Sequence, residues 1–189
     1  MKKMIAMMLC LVVALSCTAA LAETAEKEYT GETTVNNSFT VKWVAPAGYY
    51  AQEVLSEEGG SLIMALVPDD ENADKPMMMI SIAPDELYSD ITRLNDLDEE
   101  TLAQIENTFR EEDEVEISYM ETEYGTKLMV VKESKDNVDY VDFYTICLGY
   151  EIELVLTQTQ AMAGASITDE QIATVVKFLS DMEFVPVAQ

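Results

Sequence analysis

The chain has 189 residues, 49% of them apolar or aromatic, with 36 Asp and Glu against 11 Lys and Arg, a formal charge of −25, and no histidine. Such apolar content excludes a disordered polyanion, and the length suits one domain that buries a core without covalent staples. The charge excludes nucleic acid and anionic lipid as partners, and the missing histidine removes the commonest general base, the usual serine triad and most catalytic zinc and copper sites.

The N-terminus reads "MKKMIAMMLCLVVALSCTAALAE". Lys2 and Lys3 form a positive n-region, Met4 to Leu15 an apolar h-region, and Ala20-Leu21-Ala22 has the small residues at −3 and −1 that a signal peptidase needs. The h-region is shorter than the roughly 20 residues that span a bilayer. Residues 1–22 are therefore expected to be a signal peptide, which implies secretion and no transmembrane span. A competing reading is a lipoprotein signal, in which Ala14-Leu15-Ser16 precedes a lipidated Cys17, although a larger aliphatic residue is usual where Ala14 stands. Either reading makes the domain extracytoplasmic. Cys10 and Cys17 fall in the leader, so Cys147 is left as a single thiol without an internal disulfide. Within "YTICLGY" it reads as a small buried hydrophobe.

Residues 23–37 are polar and carry no sustained apolar period, and are expected to form a tether before a single domain over 38–189. "SFTVKWV" alternates, with Phe39, Val41 and Trp43 on one face of a strand. Pro46 and Gly48 turn the chain into a short strand around "QEVLSE". "SLIMALV" and "MMMISIA" are short and almost wholly apolar, as central strands covered on both faces are. "PDELYSDITRL" predicts a helix with Leu87, Ile91 and Leu94 at i, i+4, i+7. "LDEETLAQIENTF" predicts a second, with Asp98 as N-cap, a Leu97–Leu102 staple and a stripe of Leu102, Ile105 and Phe109.

Four strands then follow as a meander: "EVEISYME", "TKLMVVKE", "DYVDFYTICL" and "YEIELVLTQ". In the last, Tyr150, Ile152, Leu154 and Leu156 alternate with Glu151 and Glu153, which predicts one wet face. A closing helix has Thr168 and Gln171 as a capping box, Ile167 and Ile172 as a staple, and Ile172, Val175, Val176 and Leu179 as its buried stripe. Strands, helices, strands and a helix joined by short connections predict an α+β fold, a largely antiparallel sheet flanked by helices.

An opening strand that ends in Pro and a Gly-aromatic turn ("SFTVKWVAPAGYY"), a helical middle, a meander with a Tyr-Gly turn ("EYGTKLMVV"), and a last strand followed by a capped helix ending in Phe together resemble the PsbP-like family over residues 36–186. The resemblance implies an α/β/α sandwich. It also implies a mostly non-catalytic role, since members include accessory subunits of photosynthetic complexes, a Ran-binding nuclear transport factor and secreted bacterial proteins. It is a likeness of layout, and no functional residue of the family carries onto this chain.

The chemistry left open is that of carboxylates. Asp139 with Asp142, or Glu151 with Glu153, could pair as acid and base in glycoside hydrolysis, but Glu151 and Glu153 also fit the solvated face of a strand. Tyr140, Phe143, Tyr144 and Tyr150, with Tyr49 and Tyr50, could line a groove for sugar or peptide, or serve as cross-strand partners. Met77-Met78-Met79 suggests copper(I), yet successive strand residues point to opposite faces and cannot converge on one ion.

"VPDDENADKP" places Asp70, Asn72 and Asp74 at positions 1, 3 and 5 of a calcium-loop spacing. Lys75 stands where the loop's Gly is needed, bringing a cation into the ion's place, and Ser81 stands where its bidentate Glu is needed. A solvated turn is expected, with no dedicated metal site and at most weak cation binding. The expected function is thus a secreted, non-catalytic binding or accessory module that acts through a surface or groove on an extracytoplasmic protein or basic ligand. It is expected to need no cofactor and to have no catalytic residues. The alternative is an acidic, divalent-cation-responsive protein, and a carboxylate-dependent hydrolase is the third reading.

Overall fold

The structure, a computed structural model, describes residues 30–35, 39–56, 61–110, 115–135 and 137–186. The signal-peptide and lipidation readings, Cys17 included, lie outside these residues. The chain folds as α+β. Strands β1 (Thr30–Val35) and β2 (Phe39–Val44) join β10 (Glu183–Pro186) in a three-stranded antiparallel sheet of order β1-β2-β10. A seven-stranded sheet has order β3-β4-β5-β9-β8-β7-β6. Its strands are β3 (Tyr49–Ser56), β4 (Ser61–Pro68), β5 (Met77–Pro84), β6 (Glu116–Glu121), β7 (Lys127–Lys135), β8 (Val138–Cys147) and β9 (Tyr150–Thr157), with every neighbouring pair antiparallel.

The α-helices among the described residues are α1 (Glu99–Arg110) and α2 (Asp169–Asp181), one on each face of the large sheet. No described helix is long and apolar enough to cross a membrane. Asp98 starts α1 by accepting from the Thr101 amide at 2.7 Å, and Leu97 and Leu102 pack together in its apolar cluster. Thr168 and Gln171 start α2 reciprocally: the Thr168 amide donates to Gln171 Oε1 at 2.8 Å and the Gln171 amide donates to Thr168 Oγ1 at 3.3 Å. The expected stripe of α2 needs one amendment, because Ile172, Val175 and Phe178 are buried while Val176 and Leu179 sit at its margin. These side chains join Val41 and Trp43 of β2 over Leu62, Met64, Leu66, Ile80, Ile82, Phe143 and Leu154. On the opposite face, Ile105 of α1 meets Leu94, Met129, Val131, Tyr144 and Ile146. β5 is buried from Met77 to Ile82, as a central strand between two layers should be.

Two expectations are corrected. The expected tether, residues 23–37, includes β1, whose whole length pairs with β2 from Thr30↔Val44 to Val35↔Phe39. Backbone hydrogen bonding supplies what its polar side chains do not, and Gly31 lets the strand lie on the Trp43 indole: a Cβ there would fall 1.9 Å from Cζ2. The expected helix over "PDELYSDITRL" is instead two single 3-10 turns, Glu86–Tyr88 and Leu94–Asp96. The chain between them is tied to the β8–β9 turn: the Leu148 amide donates to Thr92 O and the Gly149 amide to Ile91 O, and Arg93 bridges to Cys147. Arg93, held in extended backbone at φ −146°, ψ 156° by this bridge, cannot take helical dihedrals.

Candidate functional site

The acidic loop after β4 is an ordinary turn. Asp70 Oδ1 accepts from the Asn72 amide at 2.9 Å, closing an Asx turn. The Asp74 carbonyl accepts from Gln171 Nε2 of α2 at 3.3 Å. Lys75 does not enter the loop, in contrast to the expectation from its position. Its ammonium reaches back to the β2–β3 turn, donating to Ala47 O at 3.4 Å and lying 5.4 Å from the Tyr49 ring centroid. Gly48, at φ +80°, makes room for it. Asp70, Asn72 and Asp74 are exposed or satisfied locally, and no group of three or more Cys, Asp or Glu among the described residues is arranged to hold a metal ion.

The aromatic residues divide between the layers. Phe143 and Tyr150 belong to the α2-side core with Tyr49, whereas Tyr144 faces α1 and packs edge-on against Phe109 with ring centroids 6.0 Å apart. They form no common groove. Met78 lies on the α2 side, and Met77 and Met79 cluster with Ala65 on the other. Cys147 packs at the margin of the α2-side core, and burial pushes its thiol up to about 11, away from the thiolate a nucleophile requires.

Asp139 and Asp142, three residues apart on one strand, point to opposite faces and cannot act as a pair. Asp139 instead accepts from Ser134 Oγ at 2.5 Å. The structure brings together a different set. In the β8–β9 register Tyr144 lies opposite Glu153, Ile146 opposite Glu151 and Asp142 opposite Val155, so Asp142, Tyr144, Glu151 and Glu153 share the α1-side face. On the other flank of β9, Ser81 of β5 lies opposite Glu153. This face was expected to be wet; Glu151 and Glu153 are in fact half-buried, and Ser81 is 2% exposed.

The electrostatics follow from that burial. Tyr144 donates its phenolic hydrogen to Glu151 Oε1 at 2.6 Å, and Tyr88 packs against the same cluster. Desolvation raises the Glu151 carboxyl, an effect partly offset by the bond from Tyr144. Asp142 and Glu153 are diagonal neighbours across β8 and β9, close enough that the charge of Glu153 acts on Asp142. Two carboxyls so placed can hydrogen-bond only when one keeps its proton. Asp142 is the keeper: burial, then the charge of Glu153, hold its carboxyl well above the ordinary range. Asp142 Oδ1 and Ser81 Oγ are both buried without a hydrogen-bond partner.

A separate solvent-open cleft of about 430 Å³ lies at the edge of the three-stranded sheet, lined by Gly31, Glu32, Lys42, Trp43, Asp181 and Glu183 among others. Lys42 is drawn to Glu32, 3.9 Å away, and Asp181 accepts from Lys177 at 2.7 Å. Cleft and carboxyl row belong to different layers, and neither Asp142 nor Glu153 lines the cleft. The Asp142–Glu153 pair was within reach of sequence reasoning. A two-residue turn at Leu148-Gly149, both at positive φ, sets Cys147 opposite Tyr150 and so places Asp142 diagonal to Glu153. The cleft was not, since half of it comes from β1 and β10. Compared with protein-family models and with curated proteins, the chain matches none.

Proposed function

We infer that this chain is a secreted, non-catalytic binding or accessory module, of the PsbP-like kind that its layout resembles, and that it engages a basic extracytoplasmic partner through its acidic surface. The observation that carries this reading is the separation of cleft from chemistry. The carboxyls with raised proton affinity, Asp142, Glu151 and Glu153, lie together or against Tyr144 on a packed sheet face. The open cleft offers Glu32, Asp181 and Glu183, with Lys42 as the one cation lining it, while the Trp43 indole turns inward to the core. An acid rim suits lysine or arginine side chains of a partner. Catalysis by two carboxyls would need one that keeps its proton to face a substrate beside the other, and the carboxyls with raised proton affinity do not line this cleft.

The test is capture from the envelope fraction of the producing cells with the purified protein as bait, run beside an Asp181→Lys/Glu183→Lys variant. A basic protein should be retained by the parent, lost from the variant, and released as salt rises. Equal capture by both, or none by the parent at low salt, would contradict the reading.

A further inference from the structure

The carboxyl row serves neither the cleft nor the hydrocarbon core, and its composition runs against what packing alone favours. Glu153 sits between Tyr144 on β8 and Ser81 on β5, with Asp142 on its diagonal. Two acids and a hydroxyl are thus gathered at one point of a half-covered sheet, leaving two buried polar atoms, Asp142 Oδ1 and Ser81 Oγ, without partners. Apolar residues of the same volume would avoid that desolvation. Solvation of a strand face would not bury Ser81 to 2% exposure.

The neighbours make the arrangement sensitive to a single proton. Among the described residues, the groups facing the pair and its flank are Glu133 on β7, Tyr144 on β8, Glu151 on β9, and Tyr88 and Asp85 from the segment after β5. None of these is a cation; Lys135 lies 4.0 Å from Glu133, and no ion pair to Lys or Arg among the described residues involves Asp142 or Glu153. Once the shared proton leaves to solvent, two carboxylates lie side by side next to Tyr144, with no ion pair among the described residues to balance them. Repulsion then acts between β8 and β9, and on the turn that rests on them through Gly149, Ile91 and Tyr88.

We propose that Asp142 and Glu153 form a proton-operated latch on the α1-side face of the sheet, closed while the two carboxyls share one proton and loosened when it is lost. Ser81 lies beside the pair, with its hydroxyl free to hydrogen-bond the carboxyl that ionises. Such a latch would tie the packing of the 85–92 turn on β8–β9 to the acidity of the protein's surroundings.

The test is a titration of the side-chain carboxyl carbons by NMR between pH 4 and 9, with amide hydrogen exchange followed in parallel. The latch requires that Asp142 and Glu153 titrate as one coupled pair in two steps, the upper above the range of the remaining carboxyls. Across the upper step, exchange in β8, β9 and residues 85–92 should quicken by about tenfold or more, while exchange in α2 stays unchanged. Asp142→Asn should abolish both the upper step and the quickening, whereas Glu153→Gln should leave one Asp142 step, lower than the upper step but still raised by burial, and abolish the quickening. The titration and exchange of the parent protein decide the matter even if neither variant folds. Independent titration of both groups within the ordinary carboxyl range, or an upper step with no change in exchange, would overturn the proposal.

Discussion

The two faces of the seven-stranded sheet share one backbone and one alternation of side chains, yet they are filled by opposite rules. On the α2 side the packing is predominantly apolar and holds no carboxyl: Leu62, Met64, Leu66, Ile80, Ile82 and Leu154 lie beneath Ile172, Val175 and Phe178, with Val41 and Trp43 beside them. On the α1 side two apolar clusters, one around Ile105 and Met129 and one around Met77 and Met79, are separated by Asp142, Tyr144, Glu151, Glu153 and Ser81. The difference teaches where stability and responsiveness reside. The hydrocarbon face is insensitive to the medium and intolerant of charge, whereas the interrupted face gives up packing energy for a dependence on protonation.

Breaking the hydrocarbon face should have the largest effect. Val175 is 0% exposed beneath α2, so Val175→Asp should cost on the order of 3 kcal/mol or more in denaturant unfolding. An unchanged midpoint would mean that α2 does not pack on the sheet. Gly31→Ala probes the three-stranded layer beside that helix. Its Cβ would lie 1.9 Å from Trp43 Cζ2, and about 1–3 kcal/mol of overpacking is expected. No loss at all would return residues 30–35 to a dispensable tether.

The interrupted face should respond through pH. Asp142 binds its proton more tightly in the folded chain than its ordinary value of 3.8 allows in the unfolded one. Below that value both states are protonated and the carboxyl carries no penalty. As pH rises toward the raised folded value, the unfolded state gains by ionising and stability falls. Asp142→Asn should remove this part of the slope, so melting followed from pH 4.5 to 8 should fall less steeply than in the parent. Parallel slopes would place the pH dependence elsewhere. The acids off the sheet are the control and the smallest effect. Asp70→Asn/Asp74→Asn should change stability by no more than about 0.5 kcal/mol, and calorimetry with calcium should detect no stoichiometric micromolar site in either form. Such a site, lost in the variant, would favour the cation-responsive reading.

Elements that announce themselves locally were legible in the sequence. Thr168 with Gln171 and Asp98 with Thr101 mark helix starts by short-range hydrogen bonds, and the apolar runs of β4 and β5 mark central strands by composition alone. What depends on a distant partner was not. β1 is a strand because β2 offers it a ladder and Gly31 fits an indole, neither visible in "TGETTV". β10 has four residues, too few to show a period. The 84–94 segment carries genuine helical spacing, but its C-terminal end is tied to the β8–β9 turn more than fifty positions later, with Arg93 extended. The densest acid run, Asp69 to Asp74, draws attention because its residues are adjacent. The perturbed pair, Asp142 and Glu153, is less conspicuous, because it emerges only once the Leu148-Gly149 turn is used to set the β8–β9 register, which adjacency does not record.

The central functional claim is binding at the acidic cleft, and amide chemical-shift mapping tests it most directly. A lysine-rich peptide titrated into the labelled protein should shift Gly31, Glu32, Lys42 to Val44, Asp181 and Glu183, and the shifts should vanish in the Asp181→Lys/Glu183→Lys variant. Shifts confined to the Asp69–Asp74 loop, or spread evenly over the acidic surface and unaltered by the variant, would contradict it.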